Sequence, residues 1–282
     1  MSENPPATGP LAAPVEVAVI TLFSAARLTH ALNQFTLLAG GTGRLVVAVW
    51  LDEAEAPVVD GVTVIRVPPG REGLRLAAGR NAGAAEALRR GARLLVFLDA
   101  DCLPGPELLE RYAEARYEHP ESVLCGPVTY LPEGAAPRTP DGLRAATAPH
   151  AARPSLPPGE TRAATSDEQR LFWSLSFACS PQAWVRSQGF DETYEGYGAE
   201  DTDFASRLQQ RGIELRWVGG AHAYHQYHPT SSPPIQHLDD ILRNGALYRD
   251  RWGSWPMEGW LKAFEEADVI RLRHGSWEKT RP

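Results

Sequence analysis

Five apolar residues, Leu94-Leu95-Val96-Phe97-Leu98, run directly into Asp99-Ala100-Asp101. An uninterrupted apolar run of this length reads as a central strand buried on both faces. Carboxylates at the C-terminal end of such a strand lie where open α/β sheets place their ligands. Two of them one residue apart make a hard oxygen site suited to Mn²⁺ or Mg²⁺ bridging a diphosphate. A second acidic group, Glu200-Asp201-Thr202-Asp203, opens a short helical pattern later in the chain. Acids at a helix N-terminus favour the helix dipole, but three in four residues repel one another unless a ligand or cation relieves them. The plain alternative for the first group is a strand end and turn, since Cys102-Leu103-Pro104-Gly105-Pro106 halts the strand.

Around these groups the pattern alternates. Val15 to Leu22, Leu45 to Leu51 and Val62 to Val67 read as strands. Ala26 to Ala39, Ala77 to Arg90 and Pro104 to Tyr117 read as helices, the last with proline in its first turn. Ser122 to Leu131 reads as a further strand. Such alternation predicts an α/β single domain with a mostly parallel sheet flanked by helices. The expected organisation is a disordered tail over 1–14, a ligand-binding half over 15–131, a flexible proline-rich loop over 132–166 and a second half over 167–282. Seven prolines between Pro132 and Pro158 carry the loop assignment. In the second half, Asp201 to Arg211 reads as a helix and Ile213 to Val218 as a strand leading to His222, His225 and His228. Ile235 to Trp252 reads as a terminal helix, followed by an aromatic segment from Trp255 to Phe264.

Bulk properties exclude several classes. A net charge of −7 argues against nucleic acid or an anionic membrane as partner. No apolar stretch approaches the roughly 20 residues of a membrane span, and the first 14 residues lack the basic and apolar regions of a signal peptide. Three widely spaced cysteines form neither a disulfide framework nor a zinc pattern. The expectation is a cytoplasmic protein, with its oligomeric state open.

Four segments together resemble the metal-dependent nucleotide-sugar glycosyltransferases of the GT-A (Rossmann-like) fold, specifically the inverting family 2 with a galactosyltransferase-like C-terminal half. Leu94 to Asp101 looks like the strand ending in the Asp-x-Asp motif. Arg80-Asn81-Ala82-Gly83 looks like the family's Arg-Asn-x-Gly segment. Gly196-Tyr197-Gly198-Ala199-Glu200-Asp201 resembles the galactosyltransferase Gly-Trp-Gly-Gly-Glu-Asp segment, and His225 follows Glu200 by 25 residues as a metal-ligand histidine does there.

The resemblance implies a glycosyltransferase using a nucleoside-diphosphate sugar, UDP-sugar foremost, with Mn²⁺ or Mg²⁺, an unidentified acceptor and inversion at the sugar. It assigns the metal to Asp101 and His225, with Asp99 and His222 as further candidates. Asp201, with Glu200 beside it, is the expected base. Thr21, Arg27, Arg75, Arg80, Asn81, Asp99 and Ala100 are expected to bind the donor, and Tyr197, Gly198 and Asp203 the acceptor. Thr202 departs from the galactosyltransferase pattern, where a third acid contacts the acceptor sugar. Two other classes stay open: a sugar nucleotidyltransferase and a non-catalytic carbohydrate-binding relative. Gly40-Gly41-Thr42-Gly43 superficially looks like a nucleotidyltransferase phosphate loop, but a helix precedes it and a strand follows, so it reads as a helix end and turn.

Overall fold

Residues 15–280 are described by the structure, a computed structural model, so the tail expected over 1–14 lies outside the described residues. The strands are β1 (Val17–Phe23), β2 (Arg44–Trp50), β3 (Thr63–Arg66), β4 (Leu94–Leu98), β5 (Cys102–Pro104), β6 (Val123–Cys125), β7 (Val128–Tyr130), β8 (Thr161–Ala163), β9 (Ser176–Cys179), β10 (Leu215–Val218), β11 (Ala223–His225), β12 (Ile270–Arg273) and β13 (Ser276–Lys279). The helices are α1 (Leu28–Leu38), α2 (Leu76–Arg89), α3 (Leu108–Glu118), α4 (Pro140–Ala145), α5 (Pro181–Ser187), α6 (Glu200–Gln210), α7 (Leu238–Trp252) and α8 (Glu258–Glu266).

One eight-stranded sheet, in the order β3-β2-β1-β4-β9-β6-β10-β8, unites both halves of the chain. Strands β1 to β4 pair in parallel, as do β6 and β10, while β9 runs antiparallel between β4 and β6. Side chains along a strand alternate between faces, and here both faces are apolar. Ile20, Val49, Leu95 and Phe97 pack on one side with α2 and α6, and Val19, Val46, Val96 and Leu98 on the other with α1 and α3. Helix α2 lies close to β1 because Gly83 leaves room: a Cβ there would come within 2.4 Å of Ile20.

A second sheet, ordered β5-β11-β7, sits at the carboxyl end of β4. The expected strand over 122–131 is therefore two strands in different sheets. It breaks at Gly126, where a Cβ would meet the carbonyl oxygen of Ala221 at 1.7 Å. Residues 102–104, expected only to stop β4, form β5 and pair with β11 so that Cys102 lies opposite His225.

The stretch 132–166 departs from a featureless loop. It contains α4, with Thr139 capping its N-terminus through Gly142 N–H, and β8, which pairs antiparallel with β10 at the sheet edge. Its Arg153 is buried, with the guanidinium over the rings of Trp173 and Trp217 at 5.1 and 5.3 Å. Gly40 and Gly43 adopt left-handed backbone between α1 and β2, the turn that the sequence pattern indicates. After β11, helices α7 and α8 and the β12–β13 hairpin enclose their own core of Leu238, Ile241, Leu261, Phe264 and Ile270.

Candidate active site

The turn after β4 is held from below. Buried Gln34 of α1 donates its amide hydrogens to the carbonyls of Asp99 (2.8 Å) and Cys102 (2.7 Å), and Asp99 N–H donates to Leu175. Gln226 N–H donates to the Asp101 carbonyl at 2.6 Å, so the end of β11 is fastened to the same turn. This register brings residues far apart in sequence together at the carboxyl end of β4.

Ligand atoms of Asp101, His225 and His228 all lie within 4.8 Å of one another. His228 Nε2 is 3.4 Å from Asp101 Oδ2, and His225 Nε2 is 3.7 Å from Oδ1. Arg27 donates its Nε–H to Asp101 Oδ2 at 3.2 Å and reaches the His228 ring at 3.3 Å. Burial alone would raise Asp101, but the His228 hydrogen bond and the nearby Arg27 guanidinium hold it at about 2. Burial also pushes His225 below the ordinary imidazole value, which leaves a neutral ring with a lone pair to give. Tyr130 stacks on His225, 4.6 Å between centroids, and fixes its plane. A carboxylate and two imidazoles suit a first-row divalent ion such as Mn²⁺. The donor set therefore fits the metal that the sequence implies.

His222 is not part of this group. Its Nε2 lies 2.7 Å from Thr129 Oγ1, and its side chain is buried against Tyr224, on the opposite pleat from His225. The third member is His228, three residues past His225, which sequence reasoning ranked below both. The His-x-x-His spacing was the available signal. Asp99 also falls outside the cluster. It pairs with Arg80 Nη2 at 3.2 Å, and burial raises it to about 6 although Arg80 opposes the shift.

Arg80 explains the link between the two acidic groups. Only 3% exposed, it lies beneath the site and gives its other nitrogen to Glu200 Oε1 at 3.3 Å. It is the internal counter-charge of Asp99 and Glu200. Burial and the neighbouring Asp201 raise Glu200 to about 7, against the pull of Arg80. Asp201 is likewise raised by burial, while Thr202 donates both its N–H (2.7 Å) and its hydroxyl (3.3 Å) to Asp201 Oδ1. Asp201 is half-buried, and so more open than Glu200.

The other residues expected to bind donor or acceptor make the following contacts within the protein. Thr21 and Ala100 are buried in the core. Asn81 spends its whole amide on the loop after α5, donating to Phe190 O and Glu192 and accepting from Phe190 N–H. Arg75 pairs with Glu192 and Glu195. Asp203, expected at the acceptor, is wholly buried and accepts from Tyr194, Arg207, Arg251 and Trp252. Tyr197 stacks on His237 at 4.3 Å and on Trp260 at 5.8 Å. Gly198 has left-handed backbone (φ +94°) and its carbonyl accepts from Asn244.

Comparison with known proteins agrees with this architecture. The profile described as glycosyl transferase family 2 matches residues 53–193, and that described as the N-terminal domain of galactosyltransferase matches 165–229. Validoxylamine A glucosyltransferases of Streptomyces hygroscopicus subsp. jinggangensis (strain 5008) and subsp. limoneus are each 31% identical over 168 residues, 51% of this chain. The chain spans only 37% and 34% of their lengths. The crystal structure of GalNAc-T7 with UDP, GalNAc and Mn²⁺ superposes with a TM-score of 0.53 at 15% identity, covering 81% of this chain and 48% of that one. That likeness establishes a shared fold, the GT-A fold. The family 2 match extends over half of the 282 residues and includes β4, its acidic turn and the Arg80 that neutralises it; the chain belongs to glycosyl transferase family 2.

Proposed function

We propose that this protein is a metal-dependent glycosyltransferase that moves a hexose from a nucleoside-diphosphate sugar, UDP-linked in the first instance, to an acceptor hydroxyl with inversion. The observation that carries this reading is the Asp101-His225-His228 cluster at the carboxyl end of β4, beside which Arg80 joins Asp99 of the same turn to Glu200. Asp101, His225 and His228 would hold a divalent ion, which would supply positive charge for a departing diphosphate. Arg27, already at the cluster, would supply a second positive charge to the phosphates. Asp201 takes the proton of the attacking hydroxyl, and Glu200, locked to Arg80, keeps Asp201 oriented at the start of α6. The relatives named as glucosyltransferases and the UDP and Mn²⁺ of the structural neighbour support a hexose donor, a uridine nucleotide and manganese.

The direct test incubates the protein with Mn²⁺ and a panel of UDP-sugars and sugar or cyclitol acceptors, and identifies the products. UDP release with a new glycoside of inverted anomeric configuration is the expected result. Formation of pyrophosphate from UTP and a sugar 1-phosphate would instead identify a nucleotidyltransferase. Binding without any turnover would identify a non-catalytic relative.

A further inference from the structure

The segment after residue 229 lies outside both matched profiles, yet one of its helices grips the loop that leads into Asp201. That loop, residues 195–199, has an unusual backbone. Gly196, Gly198 and Ala199 all have left-handed φ, at +71°, +94° and +70°. Ala199 bears a Cβ and sits immediately before Glu200, so its left-handed conformation is strained and must be offset by surrounding contacts. A backbone turned this way points its carbonyls at α7, where buried acceptors need donors.

Helix α7 supplies them. The Asn244 side chain, 1% exposed, directs its Nδ2 at the carbonyls of Glu195 (2.9 Å), Gly198 (3.0 Å) and Tyr197 (3.3 Å). One turn earlier, Asp240 accepts the Tyr197 N–H at 3.1 Å, and Arg243 donates to Glu195 O at 2.6 Å. The fit leaves no slack: a Cβ on Gly196 would lie 2.5 Å from the Asp240 carboxylate, and one on Gly198 would lie 3.0 Å from Met257 Sδ. Further along, α7 is tied to α6 itself, with Tyr248 bonded to Ser206 at 2.9 Å and Arg251 to Asp203 at 2.6 Å. The same helix thus fixes both the entry loop and the body of the helix that carries Asp201.

We infer that Asn244, with Asp240 beside it, is a positioning residue: α7 sets the location of Asp201 by holding the strained 195–199 loop, without itself touching donor or acceptor. This inference rests on Asp201 being the base proposed above. The chemistry makes Asn the required residue, because a carboxylate at the same place would face three carbonyl oxygens.

The test compares full-length wild type with Asn244→Ala, Asn244→Asp, Asp240→Ala and Asp240→Asn. Hydrogen exchange of amides 196–201, donor turnover and UDP·Mn²⁺ affinity are measured for each folded variant. Faster exchange in Asn244→Ala should accompany a kcat loss on the order of 10–100-fold, since small misplacements of a reacting group are costly. UDP·Mn²⁺ affinity should stay within about twofold, because the cluster at β4 is untouched. Asn244→Asp should be worse than Ala, and Asp240→Asn, which retains an acceptor oxygen, should recover most of what Asp240→Ala loses. Unchanged exchange in Asn244→Ala would overturn the clamp, as would faster exchange with full kcat, or a parallel loss of turnover and donor affinity. Should wild type itself show no turnover, the glycosyl-transfer reading fails and with it the assignment of Asp201, while the exchange arm still decides whether α7 holds the loop.

Discussion

Arg80 faces more negative charge than one guanidinium neutralises. Glu200 is raised to about 7 chiefly by burial and then by Asp201. Because its folded value exceeds the 4.5 of a free glutamate, its stabilising protonated form is complete below about 4.5 and is lost as pH climbs through about 7. Glu200→Gln, which cannot ionise, should therefore gain stability relative to wild type across that interval, read from urea midpoints at several pH values. A constant difference would contradict the placement of Glu200. Turnover should show an acid limb belonging to the Glu200–Asp201 pair as a unit and lying above the range of a free carboxylate. Arg80→Met removes the charge favouring ionisation and should move that limb to higher pH; an unmoved limb would show that Arg80 does not govern the pair. The histidines separate similarly. His225→Ala and His228→Ala should weaken Mn²⁺-supported UDP binding in calorimetry. His222→Ala should leave it intact and cost about 1–3 kcal/mol of stability through the stranded Thr129. Loss of metal response in His222→Ala alone would overturn the ligand set.

At the scale of elements, α6 and α7 are joined by a buried carboxylate. Asp203 accepts from Arg207 (2.9 Å), Arg251 (2.6 Å), Trp252 (3.0 Å) and Tyr194 (3.3 Å). Asp203→Ala leaves Tyr194 and Trp252 without this acceptor and Arg207 and Arg251 with only Gly189 O and Asp191, and should cost about 1–3 kcal/mol, measured by denaturant unfolding. A mild stability loss with a large rise in acceptor KM would instead return Asp203 to the acceptor site. Sequence alone placed three acids at the start of α6 but had no means to tell which faced a ligand, because the partners Arg251 and Trp252 lie on another helix. The burial of Arg80 between Asp99 and Glu200 was hidden for the same reason: charge is visible in a sequence and burial of that charge is not. The strands β1, β2 and β4 were legible as apolar runs, and β3 from the Val-rich segment around it. Three-residue strands such as β5, β7 and β11 carry no period, and pairing between distant segments alone creates them. Their register, Cys102 opposite His225, is what builds the metal-competent cluster, so the motif was legible and its assembly was not.

Across the whole molecule, strands from both halves interleave in one sheet, and the proposed division of labour follows that interleaving. Arg27 and Asp101 come from the first half, His225 and His228 from the second, and Arg80 reaches from α2 to Asp99 and Glu200. Among the described residues no helix is long and apolar enough to cross a membrane. With a net charge of −7, the chain offers a diphosphate little attraction except at this cluster, so a metal should control donor affinity. The most direct measurement of that claim is calorimetric titration of UDP into wild type, Asp101→Asn and Asp201→Asn, each with Mn²⁺ and with chelator. This division of labour requires binding in wild type only with Mn²⁺, its loss in Asp101→Asn, and its retention in Asp201→Asn even though transfer falls by on the order of 10²–10⁴. Equal UDP affinity in chelator, or loss of UDP binding in Asp201→Asn, would contradict it.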